Sequence, residues 1–185
     1  MVDDDFLGWP SWATESVEVV DYDPRWAVRG VQERDLLQSL LAPWRTDDVE
    51  HIGSTAVPGL AAKPILDLQA PVASLEVADA VADTLAPHDW HYVPPHLDRR
   101  PYRRFFVKVI EGRRAAHLHL MAKDSRRWCQ QLSFRDALRG DSDLVRAYAE
   151  LKTLLAEQHR YDREAYAADK QQFIHEVLNC PPDGK

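Results

Sequence analysis

Residues 49–71, VEHIGSTAVPGLAAKPILDLQAP, constrain this chain more than any other stretch. An aspartate stands inside the apolar run ILDL, and a carboxylate there is costly unless it binds something. Alternation along a strand puts Ile65, Asp67 and Gln69 on one face and Leu66, Leu68 and Ala70 on the other. Upstream, Gly53 and Ser54 break a first strand where backbone N–H groups and a hydroxyl turn toward a ligand. Lys63 adds a cation just ahead of the second strand. Strand, turn and strand together offer a phosphate-sized donor cluster, a lysine, and an aspartate suited to a metal ion.

The rest of the chain alternates the two structural periods. A short strand is expected at 17–20, ended by DYDP. Asp23 then caps a helix that has Pro24 at its first position and runs to about Leu41, with Trp26, Leu36, Leu37 and Leu40 toward the core. Leu75, Ala78, Val81, Ala82 and Leu85 form the apolar stripe of a helix over 75–85. Residues 86–102, rich in Pro, His and Arg, read as loop with a short strand near Tyr92. A β-branched, alternating strand over 103–110 turns at EGRR into a second strand over 115–121, making a hairpin. Three helices follow, at about 125–138, 144–158 and 163–178; Leu144, Tyr148, Leu151 and Leu155 stripe the middle one.

The expected fold class is therefore α/β (α+β): a short, mixed, twisted sheet backed by helices, with a helical C-terminal third. One domain spans 1–185, and residues 1–16 form a loose N-terminal arm that Trp9 and Trp12 tie to the body. The formal net charge of −7 argues against general nucleic-acid binding, although arginines gather at Arg99, Arg100, Arg103, Arg104, Arg113 and Arg114. Two cysteines make no disulfide framework, the N-terminus lacks a basic n-region, and no apolar run reaches membrane-spanning length. The expectation is a cytoplasmic protein with no membrane partner.

HIGSTAVPGLAAKPILDLQ, HLHL at 117–120 and FRDALR at 134–139 together resemble the GrpB family. That family is a branch of the nucleotidyltransferase superfamily, whose fold is shared with DNA polymerase beta. The superfamily pattern is a Gly-Ser turn followed by a strand with two alternating carboxylates. Asp67 fits the first place; Gln69 stands in the second, and a neutral amide binds Mg²⁺ less well than a carboxylate. The resemblance implies that Gly53, Ser54 and Lys63 hold the phosphates of ATP or another nucleoside triphosphate and that Asp67 holds Mg²⁺. It further implies transfer of a nucleotidyl or phosphoryl group to a small acceptor, or else a non-catalytic accessory module tied to coenzyme A metabolism. A third reading is a metal-dependent hydrolase built on His117, His119 and Asp67.

His117 and His119 share a strand face, and the resemblance places them in the pocket of Asp67 as catalytic groups. On the residues alone they read first as a pair of strand histidines bonded to nearby carboxylates. Arg104, on one face with Phe106 and Lys108, is a candidate for holding a phosphate bidentately. Lys170, one turn after Tyr166, is a late-helix cation of the kind the superfamily sets near a triphosphate. Arg135 and Arg139 read by default as surface ion pairing, and Cys129 as a core or half-buried thiol.

Overall fold

Five strands make one mixed sheet. A computed structural model describes residues 10–178, and its sheet has the order β1-β2-β5-β4-β3. The strands are β1 (Glu50–Ile52), β2 (Leu66–Val72), β3 (Trp90–Val93), β4 (Arg103–Ile110) and β5 (Arg113–Ala122). Among the described residues only β2 and β5 pair in parallel; the other strand pairings are antiparallel. The helices among the described residues are α1 (Arg25–Leu40), α2 (Ala78–Leu85), the single turn α3 (Pro95–Asp98), α4 (Arg126–Gly140), α5 (Ser142–Gln158) and α6 (Arg163–Leu178). A mixed sheet backed by helices, with a helical C-terminal third, is the fold class expected from the sequence.

The pleat sorts the sheet into two unlike faces. Leu66, Leu68, Ala70, Phe106, Leu118 and Leu120 form the apolar face and pack with Trp26 and Leu37 of α1 and Val81 and Leu85 of α2. At about 25 cal/mol per Å² of apolar surface removed from water, this cluster is the main source of stability. Asp23 accepts a hydrogen bond from Arg25 N at 2.9 Å to start α1, the capping expected of it. The opposite face carries Asp67, Gln69, His117 and His119, in register because Asp67 pairs with His117 and Gln69 with His119. Of the three C-terminal helices, α4 lies against β1, and α5 and α6 reach the segment between β1 and β2. Arg135 of α4 donates to Glu50 Oε2 at 2.6 Å and to the His51 carbonyl at 3.0 Å, and Arg139 donates to the Ala56 carbonyl at 2.9 Å. These two arginines fasten a helix to the sheet, a more specific role than surface ion pairing.

Two local expectations change, and a third is met by the residue that is described. No strand forms at 17–20; Val20 makes an isolated bridge with Ala62. Cys129 is exposed on α4 rather than buried. Trp9 of the N-terminal arm lies outside the described residues, while Trp12 sits under the Arg114 guanidinium at 5.3 Å. Arg114 also donates to the carbonyls of Trp12 (2.7 Å) and Ala13, so the described part of the arm is held against β5.

Candidate functional site

Asp67, its side chain 33% exposed, is the centre of a polar cluster on the sheet face opposite the apolar core. His117 Nδ1 lies 3.0 Å from Asp67 Oδ1, and His119 Nε2 lies 3.6 Å from the same oxygen. Both histidines thus reach the aspartate across the parallel pairing, as alternation in the two strands predicts. On the far side, Gly53 presses against the carboxylate: a Cβ at that position would stand 2.7 Å from Asp67 Oδ2. Gly53 also has φ +69° and ψ −170°, a region essentially reserved for glycine. The Gly-Ser turn is therefore fixed by two independent needs, backbone shape and room for Asp67.

A chain of hydrogen bonds supports the histidines from behind. Arg103 donates Nε to Asp98 Oδ2 at 2.9 Å and Nη2 to Asp98 Oδ1 at 2.5 Å, a bidentate pair in which Asp98 is only 7% exposed. The third nitrogen, Nη1, donates to His119 Nδ1 at 2.5 Å. A guanidinium has no acceptor, so His119 Nδ1 must be unprotonated and Nε2 carries the proton facing Asp67. Burial and the Arg103 charge, partly opposed by Asp67, push His119 down to about 4. His119 is thus a neutral donor near pH 7. Burial also lowers His117, against the pull of Asp67. For Asp67 burial acts upward, but the histidine hydrogen bonds prevail and hold it well below the usual carboxylate range.

Three lysines from three elements converge here. Lys63, from the loop before β2, lies 4.9 Å from the Tyr166 ring centroid, and Lys170 of α6 lies 4.2 Å from the same ring. Among the described residues neither ammonium makes a hydrogen bond or ion pair. Lys152 of α5, only 2% exposed, donates to Ser54 Oγ at 3.0 Å and to the Ala61 carbonyl. Burial lowers all three, Lys63 to about 8 and Lys152 and Lys170 to about 7. Mutual repulsion adds to the effect: Lys170 and Lys63 act on Lys152, and Lys63 acts on Lys170.

Asp67, His117, His119, Gly53, Ser54, Lys63 and Lys170 are thus brought together, all of them named by the sequence. Arg104 is not: it pairs with Leu120 on the other face and donates to the Arg103 carbonyl. Its neighbour Arg103 occupies the polar face instead. Lys152, Arg103 and Asp98 are the site residues that the sequence reading missed.

The donor set does not fit a magnesium ion. Mg²⁺ demands oxygen ligands in near-octahedral array, and the protein holds it through the free oxygens of one or two carboxylates alongside waters and substrate phosphates. Asp67 is the single carboxylate at the centre, its Oδ1 is engaged by two histidines and its Oδ2 abuts Gly53. The second place holds the fully buried neutral Gln69, whose Oε1 and Nε2 have no protein partner. Among the described residues, no group of three or more His, Cys, Asp or Glu side chains is arranged to hold a metal ion.

Gly-Ser turn, aspartate strand, mixed five-stranded sheet and helical cover define a nucleotidyltransferase-like fold. Two nucleotidyltransferase-fold structures share it at low identity. A cytoplasmic RNA terminal U-transferase matches with TM-score 0.53 and 13% identity over 75% of this chain and 42% of that one. The structure of a GLD-2/RNP-8 complex matches with TM-score 0.53 and 16% identity over 88% and 62%. Within that fold the chain belongs to the GrpB family, whose model, described as GrpB protein, matches residues 16–179. A UPF0157 protein of Pseudomonas aeruginosa is 35% identical over 92% of this chain and 69% of its own length. The crystal structure of conserved protein GrpB from Enterococcus faecalis superposes with TM-score 0.76 at 30% identity, covering 88% of this chain and 95% of that one. No helix among the described residues is long and apolar enough to cross a membrane.

Proposed function

We propose that this chain binds a nucleoside triphosphate in the cleft around Asp67 and transfers a nucleotidyl or phosphoryl group to a small acceptor. The observation that carries the reading is the convergence of Lys63, Lys152 and Lys170 on the Gly53–Ser54 turn and Asp67. Two ammonium groups, Lys63 and Lys170, in the field of one carboxylate, with a third buried beneath the turn, call for a polyanion. In a partly desolvated cleft such charges stabilise negative charge that develops on a leaving phosphate far better than they would in water.

His117 is the base of this scheme. Asp67 holds its Nδ1–H, which leaves Nε2 with a lone pair, buried and without a protein partner. In nucleotidyl transfer the acceptor oxygen bonds the α-phosphorus, the bond to the departing pyrophosphate breaks, and the acceptor proton passes to His117 Nε2. Asp67 orients and charges the imidazole, as a carboxylate does for a catalytic histidine elsewhere. His119, neutral and held by Arg103, keeps Asp67 in place.

Gln69 favours a second reading, a non-catalytic nucleotide-binding module of the kind linked to coenzyme A metabolism, because the second carboxylate place is neutral. One experiment separates the two. Purified protein is incubated with each labelled triphosphate and a panel of small hydroxyl and amine acceptors, while binding is followed by calorimetry. Turnover that disappears in His117→Ala with binding retained supports transfer. Binding without turnover favours the accessory module, and no binding of any triphosphate at millimolar concentration removes both.

A further inference from the structure

We infer that the cleft neutralises the phosphates of its ligand with the Lys63–Lys152–Lys170 cluster, in place of a divalent metal ion. The inference rests on the reading of the cleft as a nucleotide site and names how that site handles charge.

Lys152 is the anchor of the argument. It is buried beneath the Gly-Ser turn, and its ammonium already satisfies Ser54 Oγ and the Ala61 carbonyl. A side chain that donates to the hydroxyl of the turn sits where the phosphates of a bound nucleotide would lie. Lys63 and Lys170 flank the same Tyr166 ring, which is 1% exposed and serves as an apolar wall between ammonium groups. An aromatic face is a weak partner for a cation, worth ~0.5–2 kcal/mol, and does not offset burial of a full charge. The nearest anion, Asp67, is engaged by two histidines. Lysines held this way cost stability, and the chain recovers that cost only when an anion of two or more charges enters. A divalent cation in the same space would meet three ammonium groups and one carboxylate. Adding positive charge there is opposed by the field that an anion would satisfy.

The neutral Gln69 fits this arrangement. A carboxylate in its place would supply the second negative charge that a divalent metal site needs. The buried amide adds no charge and offers both a donor and an acceptor.

The test is calorimetric titration of the whole chain with ATP and with inorganic tripolyphosphate, each in EDTA and in millimolar MgCl₂. The expected result is binding of both ligands in EDTA, with affinity unchanged or up to tenfold weaker when Mg²⁺ competes for the phosphates. ATP binding that appears only with Mg²⁺ overturns the inference and leaves the nucleotide reading standing. Tripolyphosphate binding in EDTA without ATP binding supports the lysine site and overturns the nucleotide reading. Binding of neither ligand in either buffer overturns both. Lys170→Met and Lys63→Met are each expected to weaken ATP binding in EDTA by tenfold or more, with melting curves showing the fold intact. Arg104→Met, on the other sheet face, is expected to leave it unchanged. Lysine variants that bind as the parent does overturn the inference.

Discussion

Arg103 donates to His119 Nδ1 at 2.5 Å, so the proton of this histidine sits on Nε2, the nitrogen that faces Asp67. Replacing Arg103 by methionine removes both the donor and the charge. The His119 pKa, held near 4, then rises toward the ordinary imidazole value, and its ring samples both tautomers. Long-range nitrogen–proton NMR of the imidazoles reads this directly; an unchanged His119 titration would refute the assignment. The buried Asp98 loses its bidentate partner and keeps only Arg100 Nη1 at 3.5 Å, at a cost of up to about 3–5 kcal/mol. Part of that stability should return in the double variant Asp98→Asn/Arg103→Met.

Gly53→Ala and Gly59→Ala make a matched pair. Both glycines have positive φ, +69° and +77°, so both substitutions strain the backbone. At Gly59 nothing lies within 4 Å of the new Cβ, whereas at Gly53 it meets Asp67 Oδ2 at 2.7 Å. Gly59→Ala is expected to cost ~1–3 kcal/mol, and Gly53→Ala clearly more, with loss of ATP binding only in the latter. Denaturant unfolding of the two side by side checks the order.

Mild acid should weaken the fold. His51 and His119 are both held at about 4, chiefly by burial, against 6.5 for a free imidazole. The unfolded chain therefore binds protons that the folded chain refuses, beginning near pH 6.5. Their contribution is fully present above that pH and is lost as pH falls through 4, ~3 kcal/mol for His119 alone. Urea midpoints that stay flat between pH 7 and 4.5 would contradict the neutral assignment.

On the alkaline side the sign reverses in origin but not in direction. Lys152 and Lys170 are lowered to about 7, so between there and 10.5 the unfolded state binds more protons and stability rises with pH. Lys170→Met should flatten that rise and raise the melting temperature at pH 7. Anion binding restores the lost protons. Titrations at pH 7.5 in buffers of different ionisation enthalpy should therefore report proton uptake, and the affinity for ATP should fall above pH 8.

Gly30→Ala tests the apolar face. The substitution improves helix propensity by up to ~1 kcal/mol. Yet the added Cβ would stand 2.2 Å from His51 Nδ1, so α1 or the imidazole must move. Net destabilisation in thermal melts is expected, the reverse of the propensity effect.

The sequence showed the parts of this site that lie within one segment or on strands of fixed parity. Asp67, His117 and His119 could be placed together because alternation allows each strand only two settings. Arg103 could not, for a geometric reason. A two-residue turn, Glu111 and Gly112 with φ of 51° and 72°, closes the β4–β5 hairpin and pairs Ile110 with Arg113. Continued unbroken, that register would set Arg104 opposite His119. An irregularity between Lys108 and Val109 shifts the pairing by one, so Phe105 faces His119 and Arg103 reaches the polar side. Lys152 left a fainter trace. It stands four residues after Tyr148 and three before Leu155, inside the apolar stripe of α5, where a lysine is out of place. Reading the stripe as Leu144, Tyr148, Leu151 and Leu155 passed over it.

The single parallel pairing also governs when the site comes into being. The Asp67–His117 bond joins residues 50 apart in sequence, and the Lys152–Ser54 bond residues 98 apart. The β4–β5 hairpin is local and closes early, whereas β2 must find β5 across two intervening helices and two strands, a slow search dominated by loop-closure entropy. No half of the chain carries a working fraction of the cleft. Refolding followed by ligand fluorescence should therefore show binding competence emerging with the slowest phase, in step with the last tertiary signal.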